Sequence, residues 1–371
     1  MSPQPVDTPD SRTAPTVLAA AREQLWDALV DGDEHAATGT VLGALDEGVR
    51  PESVLLDLIA PVQAMVGLEW AANRITVAQE HAATAINDRV IAALGQHPAA
   101  QATVTRGRIV VACVDGEWHA LPARLLAEVL RLRGWRVDFL GAQVPTRHLI
   151  AYLHQTGPAA VALSSSIPTR LPTAHAAITA CQAAGVPVLV GGAAFGADGR
   201  HARLLGADAW ASDARGAADQ LDAGLPRQRP APAHQAVDDL PHLADQEYTV
   251  VGRSTHQLVK EIMAGLAEQV PEMARYTDLE RQRTAEDVAH IVNFLAAALY
   301  TDDDELFTNF VTWTADILDA RGVTAMSLYP TLDLLAGQLK DFPRSIRLIT
   351  AARRSLDGRT VATIPGPGEP G

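Results

Sequence analysis

Between residues 106 and 222 short apolar, β-branched runs alternate with helical stretches, and this alternation restricts the chain more than any other feature. The runs are RIVVACV (108–114), WRVDFLG (135–141), AAVALSSS (159–166) and VPVLVGG (186–192). Between them lie PARLLAEVLRLRG, TRHLIAYLHQTG and LPTAHAAITACQAAG, with Gly134 and Gly185 where helices should stop. Apolar runs separated by helices predict a doubly wound parallel sheet. In open sheets of this kind ligands lie outside the carboxyl ends of the strands. The first run leads into VDGEWHALPARLL (114–126), which puts His119 just past a strand end, before a helix started by Pro122.

The flanks have a different texture. Residues 15–103 are rich in Ala and Leu, and their periodicity predicts four helices, at 15–31, 34–48, 51–72 and 76–96. Short connections make them antiparallel neighbours in a four-helix bundle. Residues 1–14 are expected to be disordered, 223–243 to be a proline-rich linker, and 358–371 to be a flexible tail. Residues 244–357 return to helical spacing as an all-α unit of globin size. The whole is thus a multi-domain chain: bundle, α/β domain at 104–222, and helical domain.

The formal net charge of −14 argues against a nucleic-acid surface, which needs clustered Lys and Arg. The two cysteines, Cys113 and Cys181, fall in apolar or helical segments and read as packing residues of a reducing compartment. No membrane-spanning run of about 18 apolar residues is read, and the polar start MSPQPVDTPDSRTAP lacks the apolar core of a signal peptide. A cytoplasmic protein is expected.

His119 has a carboxylate two residues before it, Glu117. A metal-bound imidazole commonly donates its second N–H to a carboxylate, which fixes its tautomer. Ser164 and Ser166 end another strand, and Gly191 and Gly192 end a third. Small and hydroxyl residues at adjacent strand ends leave a slot for a long polar ligand. No G-x-G-x-x-G follows the first strand, so a dinucleotide is not expected. Ordered this way, residues 15–222 resemble cobalamin-binding modules, a helical bundle followed by a flavodoxin-like domain, in which a D-x-H-x-x-G loop supplies the histidine below cobalt. S-x-L and G-G motifs of those modules line the nucleotide tail. Here the loop reads Glu117-Trp118-His119-Ala120-Leu121-Pro122, with Glu for Asp and Pro for Gly. The serine motif reads Ser164-Ser165-Ser166, with Ser for Leu. The resemblance makes His119 the cobalt ligand.

Farther upstream, EWAANRITVAQEHAATA carries Trp70, nine residues, then Glu80 and His81. A flat indole suits a nucleoside face, a carboxylate can accept ribose hydroxyls, and an imidazole can donate to a polar edge. This W-x9-E-H spacing resembles adenosylcobalamin light sensors, which implies that Trp70, Glu80 and His81 hold the adenosyl group. Light-responsive repressors of that type carry a histidine after the tryptophan that binds cobalt after photolysis. Here it is Ala71, leaving water or a histidine such as His81 for that place. Their helix-turn-helix is not expected, since the bundle begins at about residue 15.

The domain order resembles photocobilins, which implies biliverdin as a second pigment. A linear tetrapyrrole needs aromatic walls and basic groups for two propionates. Tyr276, Phe294, Tyr300, Phe307, Phe310, Trp313 and Tyr329 offer the first. Arg253, His256, Arg275, Arg281, Arg283, Arg344 and Arg347 offer the second, with Arg275, Arg283 and Trp313 the preferred contacts. The segment contains no cysteine, so a thioether link within it is impossible.

The lead expectation is a non-enzymatic photoreceptor binding adenosylcobalamin and biliverdin, a homo-oligomer with light-dependent assembly and a separate output protein. It is expected to bind neither nucleic acid nor membrane. Two rivals stand beside it. One is the corrinoid protein of a methyltransferase system. The other is a haem or bilin globin-type module with a vestigial cobalamin domain, where His256 or His290 would be the haem ligand.

Overall fold

The computed structural model describes residues 14–226 and 236–362. The expected disordered start (1–14) and the middle of the expected linker lie outside these residues, apart from Ala14, which is helical.

The bundle consists of α1 (Ala14–Asp31), α2 (Glu34–Asp46), α3 (Pro51–Ala71) and α4 (Val77–Leu94). Helix α4 starts with a capping box, Thr76 accepting from the Gln79 amide while the Gln79 side chain reaches back to the Thr76 amide. Helix α3 is not uniform: Val54–Ile59 is a π-helical segment. Pro61 has no N–H to give the Asp57 carbonyl four residues earlier. That carbonyl instead accepts two bonds from the Arg22 guanidinium of α1, at 2.8 and 2.6 Å. Helix α3 is also long and apolar enough to cross a membrane by length and composition, contrary to the sequence reading. Its Val54, Leu55, Leu58, Ile59, Val62 and Val66 are buried in the bundle core.

The sheet contains β1 (Arg108–Cys113), β2 (Arg136–Gly141), β3 (Ala160–Ser164), β4 (Val188–Gly191) and β5 (Ala209–Trp210). All pairings are parallel, in the order 2-1-3-4-5, which is the flavodoxin-like arrangement expected. The crossover helices are α5 (Leu121–Leu132), α6 (Thr146–Thr156), α7 (Leu171–Ala183) and the short α8 (Arg200–Leu204), and α9 (Ala214–Ala223) follows β5. The pleat divides the sheet between two cores. Ile109, Val111 and Cys113 of β1 face the bundle side, whereas Val110 and Ala112 face the other. Cys113 and Cys181 are free and buried, and burial pushes both thiols up to about 12.

The C-terminal unit has five α-helices among the described residues: α10 (Glu247–Gln269), α11 (Asp278–Thr301), α12 (Asp304–Ala320), α13 (Leu328–Gln338) and α14 (Pro343–Ala362). It is all-α as expected, with fewer helices than the eight of a globin. Helix α14 runs into the segment expected to be a flexible tail. The expected linker is also more structured than its prolines imply. Ala236–Asp239 and Pro241–Asp245 form 3-10 turns, and Leu240 and Leu243 are buried.

This unit shares a core with the α/β domain. Leu149, Leu153 and Ile178 pack in the same cluster as Ile291, Leu295 and Phe307. Buried His175 bonds the Tyr300 hydroxyl at 2.9 Å. At the turn after α11, Asp303 meets His201 Nε2 at 2.8 Å and Arg200 at 3.1 Å. Burial alone would push the Asp303 carboxyl up, but the His201 bond and the Arg200 and His201 charges hold it below its usual 3.8. A depressed carboxylate stabilises the fold above its ordinary value and loses that contribution as pH falls through its folded one. Hydrogen exchange over 298–310 should therefore rise below pH 3.8, and Asp303→Asn should flatten that acid dependence while raising exchange at neutral pH.

Candidate cobalamin site

Parallel pairing places the expected motifs side by side. Cys113 of β1 is in register with Ser164 of β3, and Ser164 with Gly191 of β4. The strand order reverses between β1 and β3, so the loop carrying His119 leaves the sheet at its switch point.

Within this loop Glu117 is 1% exposed and accepts five hydrogen bonds. His119 supplies two, from its amide at 2.8 Å and from Nδ1 at 2.6 Å. The Ser166 and Ile167 amides supply two more at 2.6 and 3.1 Å, and the Ser165 hydroxyl a fifth at 3.3 Å. Burial pushes this carboxyl up, but the bonds from His119, Ser166 and Ile167 outweigh it and hold it at about 2. The bond to Glu117 raises the His119 imidazole, against the opposing effect of burial. With Nδ1 donating to the carboxylate, Nε2 is the nitrogen left to act as a ligand. Glu117 therefore orients His119 and ties the β1 loop to the β3 loop. The extra methylene of Glu over Asp is accommodated.

Above this loop is a cavity of about 920 Å³, at the upper end of small-molecule pockets. Its floor includes His119, Ala120, Leu121 and Ser166; its opposite wall is helical, with Ala60, Gln63 and Ala64 of α3 and Glu80, His81 and Thr84 of α4. His119, with a 59% exposed side chain, is open to this space. His81 Nδ1 donates to Glu80, and a polar chain runs from Asn87 to Gln63 to Thr84 to Glu80, with successive contacts of 2.8, 2.8 and 3.1 Å.

The structure thus brings Glu80, His81, His119 and Ser166 together around one cavity, with Glu117 directly behind. Ser164 is buried at the strand end, and Gly191 and Gly192 are not among the lining residues; the Gly191 carbonyl accepts from the Ser165 amide at 3.1 Å. Gly192 lies at φ 100° and ψ 161°, where an added Cβ would sit 2.3 Å from the Ser165 carbonyl oxygen. Trp70 lies at the end of α3, against Trp313 of the C-terminal unit, outside the cavity lining. Arg275 and Arg283 are exposed on that unit. Arg344 and Arg347, other basic candidates, are occupied by carboxylates: Arg344 by Asp245 and Asp302, and Arg347 by Asp302 and Asp304. Sequence reasoning missed Gln63, Thr84, Ser165 and Arg215. The last lines the cavity mouth and clamps the bundle to the sheet domain through Asp57 and Glu52. Only the apolar–polar break along α3 and α4 hinted at Gln63 and Thr84.

No group of three or more His, Cys, Asp or Glu side chains that could hold a metal exists among the described residues. Two imidazoles line this broad, largely apolar cavity, His119 from the sheet side and His81 from the bundle side, each with Nδ1 on a carboxylate; one donor on either side suits a metal already held in a macrocycle.

A helical cap thus stands over the switch point of a 2-1-3-4-5 sheet, with the oriented His119 imidazole facing the cavity between them. Residues 21–94 and 107–221 each match a family model described as a B12 binding domain. In particular, the chain is similar to two proteins of Myxococcus xanthus. It is 32% identical to HTH-type transcriptional repressor CarA over 46% of this chain and 57% of that protein. It is 33% identical to HTH-type transcriptional repressor CarH over 42% of this chain and 52% of that protein. The chain therefore spans little more than half the length of these relatives. Similar solved structures include the Methanosarcina barkeri monomethylamine corrinoid protein (20% identity, 54% of this chain, 96% of that chain, TM-score 0.47). Another is a cobalamin-binding protein from Desulfitobacterium hafniense DCB-2 (21% identity, 56% and 97%, TM-score 0.31).

Proposed function

We infer that this chain is a non-enzymatic light sensor that holds adenosylcobalamin between bundle and sheet. The observation that carries the reading is the His119–Glu117 pair opening onto the cavity roofed by Glu80 and His81. In this reading His119 Nε2 is the ligand below cobalt, and Glu117, accepting from Nδ1, fixes the tautomer that leaves Nε2 for cobalt and aims it upward. Glu80 and His81 meet the adenosyl group, and Trp70, outside the cavity lining at the end of α3, would shield it once that end moves inward. Bound adenosylcobalamin supplies a cobalt–carbon bond that light can break. The chain's part is to grip the adenosyl group in the dark and to change its domain contacts, or its assembly as a homo-oligomer, once that grip is lost. The net charge of −14 supports output through a separate protein rather than through nucleic acid.

The C-terminal unit is read as a biliverdin site without a covalent bond. A row of rings supports this: Phe294 is stacked on Phe310 at 3.7 Å, Phe310 lies 6.3 Å from Trp313, and Trp313 is 47% exposed. Arg275 and Arg283 are the proposed propionate contacts.

The test is optical. The full chain is mixed in the dark with adenosylcobalamin, then biliverdin, and spectra are recorded before and after green and red light. A cobalamin spectrum that changes irreversibly with light, and a saturable long-wavelength pigment band released intact on denaturation, are expected. His119→Ala should bind cobalamin without imidazole ligation. Light-insensitive binding with preference for methylcobalamin would turn the reading to a corrinoid methyl carrier. A sharp haem band would favour the globin-type alternative.

A further inference from the structure

The helix that walls the cavity is also held by the C-terminal unit, at the end of α3 beyond the cavity lining. Helix α3 presents Ala60, Gln63 and Ala64 to the cavity. Gly67 and Trp70 continue the row at helical spacing. The Trp70 ring has the Arg321 guanidinium 5.3 Å from its centroid and the Trp313 ring at 6.5 Å, tilted by 43°. Two long hydrogen bonds flank the rings. Asn73 donates to the Ala320 carbonyl at 3.4 Å, and Arg321 donates to the Ala71 carbonyl at 3.5 Å. Arg321 is fixed in turn by the Ile317 carbonyl at 3.1 Å, and its charge also faces Asp287. All of these partners belong to α11, α12 or the turn that follows α12.

We propose that Arg321 and Trp313 set the cavity's selectivity for the group on the upper face of a bound corrinoid, by restraining the end of α3 through Trp70. The proposal rests on the cobalamin reading above. His119 fixes the ring from the floor, so any bulk on the opposite face is directed at α3 and α4. A small upper group leaves that wall in place. A nucleoside presses on it, and the wall yields only if the end of α3 moves against its clamp. Each element of the clamp is modest: a half-buried cation–π contact, a tilted indole pair, and hydrogen bonds near the outer limit of length. Such a restraint tunes affinity without forbidding the ligand. By linkage, whatever loosens the clamp from the C-terminal side favours the bulky upper group, and a bulky upper group loosens the clamp.

The experiment titrates the full chain in the dark with adenosylcobalamin and with hydroxocobalamin, without added bilin, in the parent and in Arg321→Ala. Loss of the clamp should tighten adenosylcobalamin by about 3–10-fold, with hydroxocobalamin changed by less than about 2-fold. Arg321→Lys, which keeps a cation near the ring, should fall between. Hydrogen exchange in the parent needs no variant: exchange over 311–326 should rise with adenosylcobalamin and not with hydroxocobalamin. Equal affinity ratios in parent and variants, or exchange that ignores the upper group, would overturn the proposal while leaving the cobalamin reading intact. A parent that takes up no cobalamin overturns both.

Discussion

Replacing Glu117 with alanine should cost the chain about 3–5 kcal/mol and weaken cobalamin binding by about 10–100-fold. The size follows from what is stranded. The carboxylate is buried and accepts from two donors of its own loop and three of the next. Alanine leaves the Ser166 and Ile167 amides without that partner, and His119 loses the bond that sets its tautomer. Chemical denaturation gives the first quantity, and cobalamin titration of the folded fraction gives the second. Glu117→Gln keeps the shape but can no longer accept at both ends of the group, so it should fall between alanine and the parent in both measurements. A Glu117→Ala chain as stable as the parent would show that the carboxylate bridge contributes nothing, and would withdraw Glu117 from the site.

Gly192→Ala should be comparably damaging, by about 2–5 kcal/mol, although it adds one methyl group. The backbone at φ 100° and ψ 161° is in a region that is essentially restricted to glycine. The new Cβ would also meet three backbone atoms of Ser165, at 2.3, 2.9 and 3.2 Å. Backbone cannot rotate aside as a flexible side chain can. Relief would have to come from moving the β3 loop, and that loop donates to Glu117. The substitution should therefore weaken cobalamin binding as well as lower the thermal midpoint, whereas Gly→Ala at open Gly39, where no atom lies within 4 Å, should do neither.

These two residues show why part of the site is legible in the amino-acid sequence. Glu117 and Gly192 sit at strand ends, and strand ends can be read from the switch between β-branched runs and helical stretches. In a parallel sheet that is enough to bring the ends together, because the register of β1, β3 and β4 aligns them. The serines show the limit of such reading. Ser164 and Ser166 are the natural candidates, yet the hydroxyl that meets Glu117 belongs to Ser165, and Ser166 contributes its amide. Which atom of a loop residue is used depends on a turn that periodicity does not encode. The helical wall is less legible still. Gln63 and Thr84 are 21 residues apart and meet only because α3 and α4 pack at a particular rotation. That rotation is reset by a π-helical segment whose cause, Pro61, has its compensation in Arg22 on another helix. Trp70 and Trp313 are separated by most of the chain, and no local rule pairs them. The linker misleads in the opposite direction: its prolines hide Leu240 and Leu243, which are core residues.

The two-faced sheet has a consequence for how the chain can be divided. One face of β1, through Ile109, Val111 and Cys113, completes the core of the bundle; the other, through Val110 and Ala112, completes a core that includes the C-terminal helices. Each strand is thus a party wall. Severing the chain at the proline-rich segment would give one fragment a bare strip of α6 and α7 and the other a bare row of Leu295, Phe307 and Ile291. Neither piece would be a self-sufficient module. For anyone recombining such chains, the unit of exchange is the sheet with both of its neighbours, and the boundary drawn by sequence composition is the wrong place to cut.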